Sequence, residues 1–117
     1  MKKLIFETKL EGLKMATGKN AETGEPITRS AVVEDLYKEL GGLVTNLYQA
    51  ASADDVRRLW KLCDQIEDGK TGMEDADYTF LLGVWNQVLP SAMGRSSVQW
   101  IRALDSILNN PETPINT

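Results

Sequence analysis

The 117-residue sequence predicts a mainly α fold, a compact four- to five-helix bundle with a small N-terminal β-hairpin-like element. Three observations predict it. From about Ser30 onward, apolar residues recur at three- and four-residue steps, the spacing that lines one face of a helix. Capping residues, Gly and Pro bound those stretches. Before Ser30 the pattern is that of strands, β-branched and aromatic types in alternation around a Gly-rich loop.

The first element expected is a strand over residues 4–10, with Leu4, Phe6, Thr8 and Leu10 on one side and Ile5, Glu7 and Lys9 on the other. Gly12 marks a bulge or tight bend before a second extended stretch, Leu13 to Thr17. Gly18 to Pro26 then reads as a loop, with two Gly, one Asn and one Pro. A two-stranded hairpin is marginal alone in water, so its apolar face is expected to lie on the helices.

Helical spacing begins with Val33, Leu36, Tyr37, Leu40, Leu43, Val44, Leu47 and Tyr48. Gly41-Gly42 interrupts that stripe, and each Gly costs up to about 1 kcal/mol against Ala in a helix interior. The segment is either two short helices or one with a weak middle; the stripe keeps its phase across the pair, which favours a single element that bends there. Ser52 reads as the next N-cap with Asp55 three residues on. That helix places Val56, Leu59, Trp60, Cys63 and Ile66 on one face and ends at Asp68-Gly69. Glu74, Asp75 and Asp77 crowd a third helix start, where the helix dipole favours acids, and Met73 and Tyr78 are spaced for a hydrophobic staple. Tyr78, Leu81, Leu82, Trp85, Val88 and Leu89 line this helix until Pro90 stops it. The last helix starts between Ser91 and Ser97 and carries Val98, Ile101, Leu104, Ile107 and Leu108. One domain over residues 1–110 is expected, with the β element and loop in 1–29 and the bundle in 30–110. Residues 111–117 are expected to form a flexible tail.

Composition excludes several kinds of chemistry. The chain has no His, which removes the usual general base near neutral pH and the commonest transition-metal ligand. Cys63 is the only Cys, so neither an intrachain disulfide nor a Cys-rich zinc site can form. Ser-His-Asp and Cys-His nucleophile systems are likewise impossible. Carboxylate, Lys or Tyr chemistry and magnesium held by Asp and Glu remain open. Glu7, Thr8 and Lys9 interrupt the apolar run a signal peptide would need, and no run reaches the roughly 18 apolar residues of a membrane span. A cytoplasmic, reducing location without membrane association is the expectation.

The net charge is −4. Residues 1–29 carry six basic against four acidic groups, and residues 30–69 four against eight. A basic arm on an acidic body is thus conceivable, but its charge is too small to make nucleic acid the favoured partner.

Each pattern that suggests a site also has a structural account. Asp64, Asp68, Gly69 and Asp75 fall at positions 1, 5, 6 and 12 of an EF-hand loop, but position 3 is the apolar Ile66, and position 12 is Asp where Glu is expected. A helix end, a turn and a helix start explain the stretch better. Glu74, Asp75 and Asp77 lack the phosphate loop that would accompany magnesium-dependent phosphoryl chemistry, because Gly18-Lys19 has no correctly spaced upstream Gly. Arg57, Arg58 and Lys61 form a small basic cluster, with Asp54 three residues before Arg57. Trp60 and Trp100 lie at the margins of their stripes, near Arg57, Lys61 and Arg102. Trp and Arg are enriched at binding hot spots; the alternative is a core-edge indole with its N–H in water.

In order of parts, the chain resembles a diffuse group of small bacteriophage and prophage proteins. The pieces that carry the resemblance are Gly24-Glu25-Pro26-Ile27-Thr28, the segment Arg58-Leu59-Trp60-Lys61-Leu62-Cys63-Asp64-Gln65-Ile66, and the acidic helix start Met73-Glu74-Asp75-Ala76-Asp77, within a span of roughly residues 4–108. None of these pieces is a catalytic motif. The resemblance implies a small accessory protein that acts by binding.

The expected function is therefore non-enzymatic protein–protein binding, as an assembly factor, host-factor modulator or inhibitor of a host system, without cofactor or metal. The candidate partner-binding residues are Trp60, Arg57, Lys61, Trp100 and Arg102. Homo-oligomerisation is open. The alternative is a nucleic-acid-associated protein that uses the basic N-terminal arm; an enzyme with a carboxylate-bound metal ranks third.

Overall fold

The computed structural model describes residues 1–113. In chain order the elements are β1 (Lys2–Lys3), a 3-10 turn (Glu7–Lys9), β2 (Lys14–Lys19), β3 (Pro26–Ser30), α1 (Val33–Leu47), α2 (Ala53–Glu67), β4 (Gly72–Met73), α3 (Asp75–Ala92) and α4 (Val98–Asn109). The fold is mainly α, with three strands in its N-terminal 30 residues and a fourth, which the sequence did not signal, between α2 and α3. Helices α1 and α3 pack on each other, and each also contacts α2 and α4. Leu36, Leu40, Leu59, Ile66, Leu81, Trp85, Ile101 and Leu104 fill the space between the helices.

Two small antiparallel sheets serve different ends. In the first, β1 pairs with β4, Lys2 opposite Met73 and Lys3 opposite Gly72. The expected strand over 4–10 does not form. Leu4 and Phe6 are buried as the alternation requires, but Lys9 N–H closes on the Phe6 carbonyl (3.1 Å), turning the chain and leaving Thr8 exposed. Two anchors stop the strand there: Leu4 N–H donates to the Thr71 carbonyl (3.0 Å), and the Phe6 ring meets Tyr37 edge-on at 4.8 Å.

In the second sheet β2 pairs with β3, with an irregularity between Ala16 and Gly18. This hairpin does not lie on the helices. Apart from the half-buried Met15, its strand residues are exposed, and Ile27 is 49% exposed. The reason is compositional, since Lys14, Thr17, Lys19, Thr28, Arg29 and Ser30 give the hairpin no continuous apolar face. It projects as an arm held at its base. Leu13 and Ala31 are buried on either side of the base and joined by the Ala31 N–H to Leu13 carbonyl bond (3.0 Å). Arg29 donates twice to Asp35 (2.8 and 2.9 Å), and Asp35 also accepts from Val32 N–H (2.9 Å) at the α1 start. The radius of gyration, 15.4 Å, exceeds the roughly 13 Å of a compact chain of this length, as a projecting arm requires.

Gly41-Gly42 does not break α1, which runs unbroken through the pair. In α2, Ser52 Oγ accepts from Asp55 N–H (3.2 Å) as expected of the cap. The helix ends in a Schellman motif, with Gly69 N–H on Ile66 and Lys70 N–H on Gln65, and Gly69 at φ +83°. Pro90 does not stop α3, which continues to Ala92. The turn that follows Pro90 still closes, with Met93 N–H on the Leu89 carbonyl (3.3 Å). In α4 the expected Val98 is exposed and Trp100 takes its place in the core, because Val98 is the first residue after the Ser97 cap and lies off the inward face. The start of the expected tail is held: Lys3 and Glu112 exchange backbone hydrogen bonds (2.8 Å each), and Lys2 Nζ donates to Thr113 (3.1 Å). The remainder, residues 114–117, lies outside the described residues.

Candidate functional site

The candidate surface is built on α2. Leu59, Leu62, Cys63 and Ile66 form its buried stripe. Trp60, expected on that stripe, is one residue and so about 100° out of phase with Leu59. It stands 55% exposed on the outer face, and Leu62 occupies the core position instead. Arg57 and Lys61, one turn apart, flank Trp60 in sequence and are exposed. Arg57 donates to Asp54 (3.0 Å) in a fully exposed pair that adds little to stability. Arg58 does not join this cluster. Its guanidinium lies 4.6 Å over the Phe80 ring and donates through Nε and Nη2 to Asp77 (3.1 and 2.9 Å), which ties α2 to α3.

Beside Trp60 a groove of about 300 Å³ runs between α1 and α2, lined by Lys38, Gly41, Gly42 and Thr45 from one helix and Trp60, Cys63, Asp64 and Glu67 from the other. The glycine pair opens it. A Cβ on Gly41 would meet Glu67 Oε1 at 3.8 Å and Cys63 Cβ at 3.9 Å, so the helices approach closely here, while a Cβ on Gly42 would meet nothing within 4 Å. The groove therefore has bare backbone on one wall and an indole on the other.

Trp100 and Arg102 do not join this surface. Trp100 is 8% exposed and its indole N–H donates to the Lys14 carbonyl (3.2 Å), so it packs under the hairpin base. Arg102 is exposed on α4 and lines a separate cavity with Lys9, Glu11 and Gln99. Trp85 is fully buried, with its indole N–H on Asp105 (2.9 Å). No signal in the sequence separates Trp60 from Trp100, since each stands one residue from a core position, Leu59 and Ile101. The groove residues Lys38, Thr45 and Glu67 escaped sequence reasoning, and Asp64 entered it only as a calcium-loop position, because only the pairing of α1 with α2 brings them together.

Two strong shifts fall on a groove residue, Cys63, and on Asp35 at the base of the arm. Burial pushes the Cys63 thiol up to about 11, further from the reactive thiolate. Asp35 is held down to about 2, first by the Arg29 hydrogen bonds and then by Val32 N–H, and its lone pairs are committed to joining hairpin and helix. Among the described residues no three carboxylate or thiol side chains converge as metal ligands, and no helix is long and apolar enough to cross a membrane. Compared with known proteins, the chain matches no family model, no curated protein and no solved structure.

Proposed function

We propose that the chain is a non-enzymatic binding protein that acts by protein–protein contact through the outer face of α2, as a phage- or prophage-type accessory in the host cytoplasm. The observation that carries the contact reading is Trp60, a large aromatic side chain 55% exposed beside the glycine groove and flanked by Arg57 and Lys61. Burying such a ring on association recovers apolar area that the fold leaves in water. The phage-type assignment rests on the order of sequence pieces described above. The nucleic-acid alternative gains no support from the projecting arm. Of its three cations Arg29 is committed to Asp35, and against Lys14 and Lys19 stand Glu22 and Glu25 near the tip, which leaves the arm little net charge.

The test is capture from host lysate on the immobilised chain, with Trp60→Ser and, as a control on another face, Arg102→Glu. Capture lost with the first variant and kept with the second supports the reading. Equal capture by all three removes the α2 face from it.

A further inference from the structure

We propose that the outer face of α2 binds a second copy of this chain, two α2 helices packing antiparallel about a two-fold axis. The proposal rests on the reading of this face as a recognition surface and names its occupant.

Charge distribution is the first support. Along the exposed face the N-terminal half presents Lys61, unpaired among the described residues, and Arg57 bonded to Asp54, and the C-terminal half presents Asp64, Glu67 and Asp68. A free cation before the middle of the helix and free acids after it are complementary to themselves when the helix is turned end for end, which is the requirement of an isologous interface. The register that pairs the unpaired charges sets Lys61 opposite Asp64 of the second copy, and it leaves Arg57, bonded to its own Asp54, level with Asp68 of that copy. Asp64 makes no ion pair within its own described chain, and Lys61 none either, so both charges are available.

Shape gives independent support in the same register. Gly41 lies level with the Cys63–Glu67 turn of α2. Pairing Lys61 with Asp64 places each Trp60 level with residue 65 of the other copy, beside that copy's Gly41-Gly42. The exposed indole of each chain is then offered to the bare-backbone wall of the other, twice over. Charge pairing and ring seating need not have agreed on one alignment, yet they do. Helix α2 is about 22 Å long, and a contact of this size with one aromatic anchor per chain belongs among weak, concentration-dependent interfaces.

The test is sedimentation equilibrium of the full chain from ~10 μM to ~1 mM, the range in which a small interface forms. The weight-average mass is expected to rise from 13.0 kDa toward twice that value. Lys61→Glu or Asp64→Lys alone places like charges opposite each other and should raise the dissociation constant about tenfold or more. The two together restore opposite charges and should recover most of the association, while circular dichroism confirms an unchanged fold. A mass that stays at 13.0 kDa throughout overturns the proposal. So does a dimer indifferent to Trp60→Ser, or a double variant no better than the singles. A monomeric chain whose lysate capture still depends on Trp60 overturns this inference alone and leaves the broader reading standing.

Discussion

Replacing both Gly41 and Gly42 with Ala tests how the groove is made. Both residues sit inside α1, and neither has a positive φ. Glycine there loses more backbone entropy on folding than Ala, a difference of about 0.5–1 kcal/mol per site. At Gly42 the added methyl would meet nothing within 4 Å, so the full propensity gain is expected. At Gly41 it would sit 3.8 Å from Glu67 Oε1 and 3.9 Å from Cys63 Cβ, ordinary contact that requires no movement. The double variant should therefore be more stable by about 1–2 kcal/mol, or about 4–8 °C in Tm for a domain of this size. Urea unfolding followed by circular dichroism measures the first, and calorimetry the second. The same methyls fill the wall that Trp60 of a second copy would face, so self-association should weaken as stability rises. A destabilised variant would refute the packing argument, and unchanged association would refute the seating of the ring.

Further outcomes follow from other parts of the structure. Asp35 titrates near 2 when folded and near its ordinary 3.8 when unfolded, so its contribution is present above about pH 4 and is lost as pH falls toward 2. With Arg29 partly exposed, that contribution is about 1–2 kcal/mol. Stability measured from pH 6 to pH 2 should therefore fall less steeply in Asp35→Asn than in the parent, and parallel curves would contradict the assignment. Trp100→Ala should cost about 3 kcal/mol or more and speed amide exchange at the hairpin base, whereas a change below 1 kcal/mol would show that the indole does not anchor the arm. Ser52→Ala should cost about 1 kcal/mol in urea unfolding, through loss of the Asp55 N–H bond, and no change would remove the cap.

Much of the helical part was legible because its signals are local. The stripe of α1, the Ser52 cap and the Asp68-Gly69 terminus each depend on residues within a turn or two. What the sequence did not disclose depended on distant partners. Residues 4–10 alternate like a strand, yet the chain turns at Phe6, because that ring is claimed by Tyr37 and Leu4 by the Thr71 carbonyl. Pro90 looks like a terminator, but the helix runs two residues past it and its last turn closes through Met93 N–H on Leu89. The hairpin's exposure was visible in its polar composition, which the expectation of packing onto the helices gave too little weight. For the site, the cluster of Arg57, Arg58 and Lys61 divided because Arg58 found Phe80 and Asp77 across on α3. Trp60 and Trp100 look alike as core-edge residues in the sequence, but only Trp100 has a carbonyl within reach under the hairpin.

Whether the α2 face serves recognition rather than folding is decided by Trp60→Ser. The measurement is urea unfolding of that variant alongside its capture and self-association. A recognition face gives a change in unfolding free energy within about 0.5 kcal/mol, as for an exposed position, together with loss of association. A cost of about 3 kcal/mol or more, the signature of an emptied core site, or association equal to the parent's, would contradict it.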